Sequence, residues 1–299
     1  MENESKKTAI NFLKFSKWYF GFSSFLLGIS LISLLLYGLK PGIDFTGGAL
    51  LEVELVSTQE SVDENSVRET LEEVIEPASI QSTGDSFILR LPNVSQETNA
   101  VIKTRLEERF GVVNEVRFES VGPVLGRELL QKTVVAVILA TVTILGYIAY
   151  RFNEVKYGVS AIMAMLHDTF IVIGVFSVLG RFFDIEIDTL FVTALLTTLS
   201  FSVHDTIVVY DRIRELLRMH NKAPYRAVVN KAILETLSRS INNSMTIIFM
   251  LLALFLLGGE TIRWFVFALL IGTVIGTYSS TFTAAPLLVL LSEFKRFKR

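Results

Sequence analysis

Hydrophobic and polar positions divide the 299 residues into six long apolar runs and one mixed stretch. The runs are Trp18–Leu39, Thr133–Tyr150, Tyr157–Gly180, Thr189–Tyr210, Ser240–Gly259 and Trp264–Ser292. Each is near or above the ~20 residues that a tilted helix needs to cross a bilayer. The second is short, but the aliphatic stem of Lys132 can extend it by snorkelling. Between the first two runs the pattern changes. Ala49–Val56 alternates like a strand, and Val62–Ile75 has helical spacing after the polar start Ser61-Val62-Asp63. Ala78–Ser82 and Ser86–Leu91 flank Thr83-Gly84-Asp85 as a hairpin. Pro92–Phe110 reads as a helix stopped by Gly111, and Val112–Glu119 as a last strand. This predicts a polytopic helical membrane protein with six transmembrane helices. One small βαββαβ domain, the split βαβ or ferredoxin-like unit, lies between the first two.

Composition agrees, with 51% hydrophobic and 19% charged residues. Residues 40–127 carry 16 acids and 8 bases, and the rest of the chain is net positive by six. No large soluble basic face results, which argues against nucleic acid as a partner. With no cysteine, thiolate chemistry is excluded. The first run is too long for a cleaved signal, and Lys40-Pro41-Gly42 lacks a small-residue cleavage pattern.

Lysine and arginine set the orientation. Putting the tail 1–17 inside leaves Arg151–Lys156, the basic loop 211–239 and the tail 293–299 inside as well, with 40–128 outside. The loop 211–239 holds seven bases against three acids. Within it Pro224–Ser238 reads as an amphipathic surface helix with Val228, Val229, Ala232 and Leu237 toward lipid.

Two runs contain an acid, Asp168 in the third and Asp205 in the fourth. An acid at mid-helix costs about 2.5–3.5 kcal/mol on insertion scales, and such residues usually mark an ion or proton path. The bland alternative is a carboxylate near the headgroups held by Arg212 or a hydroxyl. Ser202 and Thr198 share a stripe with Asp205, and they suit either a proton path or bonds to their own backbone. The acids recur as His167-Asp168-Thr169 and His204-Asp205-Thr206. Adjacent helical side chains face apart, so each pair splits between two faces and no metal site is read. Arg239 opens the fifth run. It suits a snorkelling anchor, or a partner that holds Asp205 ionised and is released on protonation. Gly272 and Gly276, followed by Ser280, form a seam for close helix packing. Neither a Walker loop nor a serine elbow is present, so neither an enzyme nor a cofactor is read.

Several segments in order resemble the SecF family of the resistance–nodulation–division superfamily. They are Gly42-Ile43-Asp44-Phe45-Thr46-Gly47-Gly48, then Val121-Gly122-Pro123 with Gly126-Arg127-Glu128-Leu129, and the block from Asp205 through Asp211 and Arg212 to Glu215. Arg239 follows at the family's spacing. The resemblance implies a subunit that works with SecD beside the SecYEG channel in the bacterial cytoplasmic membrane. There it would use the proton motive force to assist export of unfolded preproteins, among membrane lipids and with both termini inside. It implies central roles for Asp205 and Arg239 in proton use, a tuning role for His204 where relatives carry asparagine, and a secondary place for Asp168. The single external domain implies SecF alone, not a fused SecDF. Two other functions stay open: a passive scaffold or holdase for the channel, and half of a small-molecule or lipid exporter of the same superfamily, which the small external segment disfavours.

Overall fold

The computed structural model describes residues 11–56, 62–83, 86–152, 154–220 and 223–297. The start of the N-tail, Ser61, the hairpin turn at Gly84 and Asp85, Lys222 and the end of the C-tail lie outside them. In chain order, helix α1 spans Ser16–Tyr37 and a short helix α2 spans Ile43–Thr46. Next come β1 Gly48–Val56, α3 Glu64–Glu72, β2 Ser79–Thr83, β3 Ser86–Leu91, α4 Gln96–Phe110 and β4 Val112–Val121. The long helices are α5 Pro123–Arg151, α6 Val155–Phe182, α7 Thr189–Met219, α8 Tyr225–Leu257 and α9 Glu260–Ser279. A π-helical turn, Ser280–Ala284, joins α9 to α10 Ala285–Phe297.

Contacts divide the chain into two units, one of residues 41–136 and one of 1–40 with 137–299. The smaller unit is an antiparallel sheet in the order β2-β3-β1-β4, the split βαβ arrangement. Alternation explains its single core: Ala49, Leu51, Val53 and Leu55 of β1 meet Phe87, Leu89 and Leu91 of β3 and are buried under Val67, Leu71, Ile102 and Leu106 of the two helices. Each helix starts at a capping side chain. Asp63 accepts from the Ser66 amide at 2.9 Å, and Ser95 accepts from the Thr98 amide at 3.3 Å. The Ser66 hydroxyl, together with that amide, holds the Asp63 carboxyl below its ordinary range. The helix expected from Pro92 therefore begins only after Ser95.

The double glycine closes this unit. Gly47 and Gly48 have φ of 75° and 126°, open to glycine but strained for other residues. A Cβ on Gly47 would lie 2.6 Å from Pro123 Cα, and one on Gly126 would lie 2.8 Å from Gly47 N. Gly47→Ala therefore both strains the backbone and drives Pro123 away. We expect it to lower the stability of the sheet unit by about 1–3 kcal/mol, read as faster amide exchange across β1 and β4 than in the parent.

Six helices are long and apolar enough to span a membrane among the described residues, so the chain is a multi-pass membrane protein. The central helices are α6, α7 and the α9–α10 pair, whose apolar windows are 44–50% buried, against 6% for α5. Lys40, just after α1, pairs with Asp184 and lies 3.6 Å from Glu186 in the turn between α6 and α7. The basic stretch 211–239 differs from the loop that charge suggests. Helices α7 and α8 run through nearly all of it, and Pro224 caps α8. Val228, Val229 and Ala232, expected to face lipid, are instead buried against Ile213 and Leu216 of α7 and Leu288 of α10. Their apolar stripe is real; protein covers it.

Candidate functional site

Two polar centres lie within these helices. The first is Asp168 on α6, 5% exposed. Its Oδ2 accepts the hydroxyl of Ser202 on α7 at 2.5 Å and that of Ser279 on α9 at 2.6 Å. Its Oδ1 lies 2.8 Å from His167 Nδ1. The rule that neighbouring helical side chains point apart fails here, since the two side chains meet and both residues are buried. One helix on, Asp205 is buried while His204 is exposed, though both border one cleft.

The second centre is Asp205 on α7. Among the described residues it makes no hydrogen bond or ion pair. It is 9% exposed in a cleft lined by Phe201, Ser202, His204, Asn243, Ser244 and Gly276, among others. The cleft offers about 20 Å³ to water centres, enough for about one water. Its far wall is tied by Thr277, which donates to Ser244 Oγ at 2.7 Å.

The glycine seam sets how close the helices come. A Cβ on Gly272 would lie 2.1 Å from Thr198 Cγ2, and one on Gly276 would lie 3.3 Å from Ser202 Cβ. These glycines bring α9 against the stripe of α7 that bears Thr198, Ser202 and Asp205. Thr198 itself donates to the Leu195 carbonyl at 2.9 Å, so it bonds its own helix and not the acid.

The predicted Asp205–Arg239 pair is not formed. Arg239 is exposed, because the buried stripe of α8 runs through Thr236, Ser240 and Ser244 and Arg239 lies off it. The Arg212–Glu235 ion pair at 2.6 Å sets the register of antiparallel α7 and α8, so Arg239 is level with Val208. That is three residues, or about 4–5 Å of helix rise, from Asp205. Asp211 and Arg212, at the end of α7, do not enter either centre: Asp211 accepts from Arg151 at 2.7 Å and Arg212 donates to Glu215 and Glu235. Gly42 and Asp44 belong to the sheet unit, where Gly42 caps α2.

Ser279 and the π-helical turn after it have no counterpart in the sequence expectations. The signal is Pro286, which has no N–H to donate to the amino-side turn before it and would crowd the Phe282 carbonyl in a regular helix. One extra residue in the turn absorbs that conflict. The hydroxyl-rich run Ser279–Thr283 then lies buried, and Tyr210 reaches the Ala284 carbonyl at 3.2 Å and Ser160 Oγ at 2.7 Å. No group of His, Asp and Glu able to hold a metal occurs among the described residues.

Comparison with known proteins places this arrangement. The family model of the protein export membrane protein SecD/SecF C-terminal region matches residues 101–294, and that of the SecD/SecF GG motif matches residues 32–59. The protein translocase subunit SecF of Thermobaculum terrenum is 47% identical over 277 residues, covering 86% of each chain. That of Anaerolinea thermophila is 39% identical over 279 residues, covering 91% of each. The crystal structure of SecDF, a translocon-associated membrane protein from Thermus thermophilus, matches 96% of this chain at 32% identity with a TM-score of 0.86. This chain spans 39% of that longer one. The six membrane helices, the split βαβ unit, the double-glycine loop and these relatives together assign the chain to the SecF family of protein translocase subunits.

Proposed function

We propose that this chain acts with a SecD-type partner, beside the SecYEG channel in the bacterial cytoplasmic membrane, to couple inward proton movement to export of unfolded preproteins. Asp205 carries the reading: an acid with no hydrogen bond or ion pair among the described residues, in a narrow cleft inside an otherwise uncharged membrane segment. Charge and position favour both termini on the cytoplasmic side, since Arg151, Arg214 and Arg218 gather at one end of α5 and α7. The SecD assignment is supported by the solved SecDF, a longer chain of which this one matches 39%. Its extracytoplasmic domain is 40–128 in this reading, and membrane lipids surround the helices.

In the cycle, the guanidinium of Arg239 swings along α8 to pair with ionised Asp205 and leaves when Asp205 takes a proton. Moving one charge through ~100 mV is worth about 2.3 kcal/mol, enough to bias two helix packings of similar energy. Proton-gradient-dependent export in vesicles that contain the partner subunit tests this. The Asp205→Asn chain is expected to assemble normally and to lose the gradient-driven part of export. Export at the parent level would leave only a passive scaffold.

A further inference from the structure

Asp168 is more enclosed than Asp205, and the cycle above does not use it. Its two hydroxyl bonds both run from a serine O–H to the carboxyl, which has the acceptor sites of an ionised oxygen to receive them. Both fall on Oδ2. A proton placed there would set a third hydrogen among two donors, and one serine would have to turn away. At Oδ1 the geometry differs. His167 Nδ1, facing a carboxylate, donates, which leaves Nε2 as the free acceptor of the ring. Nε2 is buried and meets no hydrogen-bond partner among the described residues. A proton arriving at Nε2 yields an imidazolium against a carboxylate, with both serine bonds kept and no heavy atom displaced.

The surroundings leave this pair alone with its charge. From α7 it faces Ser202, with His204 and Asp205 in the following turn; from α9 it faces Ser279. The buried polar groups of α1 are the hydroxyls of Ser23, Ser30 and Ser33, and α10 brings apolar Ala285, Leu288 and Val289 to the core. Asp168 pairs with no lysine or arginine among the described residues. Ser202 has a single hydroxyl proton, given to Asp168, while its side chain also lines the cleft of Asp205. It can serve one acid at a time.

We propose that His167 and Asp168 form a second proton-holding centre, which takes its proton at His167 Nε2, and that Ser202 links it to Asp205. The link rests on the reading of Asp205 as the coupling acid. When Ser202 turns from Asp168 to an ionised Asp205, Asp168 keeps only Ser279, the residue that precedes the π-helical turn. Proton exchange at one acid is thereby felt at the one irregular turn of the sixth span.

Two measurements on the complex with its partner subunit in lipid test this: pH-jump infrared difference spectra with ring-labelled histidine, and gradient-driven export across a pH series. Asp168→Asn keeps groups that can meet both serines, and His167→Gln keeps a donor toward Oδ1. Each is expected to displace the pH profile of export and to slow it about tenfold, the cost of one charge-assisted bond. Asp168→Asn is also expected to remove the imidazolium bands of His167. Ser279→Ala should slow export without displacing the profile. A profile superimposed on the parent for both variants, with the histidine bands unchanged in Asp168→Asn, would overturn the proposal. Should Asp168→Asn fail to assemble, the profile of His167→Gln decides. Histidine bands lost in Asp168→Asn while Asp205→Asn exports normally would support the proton-holding pair and overturn both the Ser202 link and the reading of Asp205.

Discussion

Gly174→Leu is expected to separate the first and third membrane spans. A Cβ at Gly174 would lie 2.2 Å from Ser30 Cβ and 2.5 Å from Ser30 Cα, so even alanine meets main chain as well as side chain. Overpacking of this kind costs about 1–3 kcal/mol or more, and here no side-chain rotation relieves it. The hydroxyl of Ser33, which donates to Ser177 Oγ at 2.9 Å one turn on, reports the separation. The chain has no cysteine of its own, so Ser33→Cys with Ser177→Cys gives a clean oxidative crosslink. We expect that crosslink to form readily in an otherwise unchanged chain and to fall several-fold when Gly174→Leu is added. Ser30→Gly should restore little, because the Cα stays in place. The contrast lies at Gly272, where the crowding atoms belong to the Thr198 side chain. There Thr198→Gly should restore most of what Gly272→Ala loses. Equal rescue at both sites would mean that α1 and α6 are free to part without cost.

The second large effect concerns Arg239 and is functional. If its guanidinium pairs with Asp205 during the cycle, the two residues act as a unit and their losses do not add. Arg239→Leu should remove the gradient-driven part of export as fully as Asp205→Asn, and the double variant should be no worse than either single one. Arg239→Lys keeps the charge but loses the planar fork and some reach, so we expect it to restore export only in part. An anchor at the headgroups predicts otherwise: Arg239→Lys at the parent level, and a small loss for Arg239→Leu that adds to that of Asp205→Asn. A double-variant comparison in the vesicle assay separates the two.

Much of the fold was legible because each local signal had a single physical solution. Ser86–Leu91 alternates and is a strand with those bounds, and Gly111 ends α4 at φ 90° as a terminal glycine should. Where the reading of the chain went astray, the pattern gave a stripe without saying what covers it. Val228, Val229 and Ala232 look the same beside lipid and beside Ile213 and Leu288. The centre at Asp168 was legible as an acid in an apolar run, yet its partners were not. Ser202 and Ser279 stand 34 and 111 positions away, and only packing brings them to one oxygen. Arg239 is a different case: it lies about a turn from Asp205 and outside the buried face of α8, which runs through Ser240 and Ser244.

The pairing of Gly48 with Val121 has a mechanical consequence. The two covalent leads of the sheet unit leave from neighbouring ends of β1 and β4. Tension between them would peel the ladder open one bond at a time, the weakest way to load a sheet. The tight seat of Gly47 and Gly126 around Pro123 sits at that first bond and acts as a clasp. A unit held this way can be tugged as one piece without unzipping.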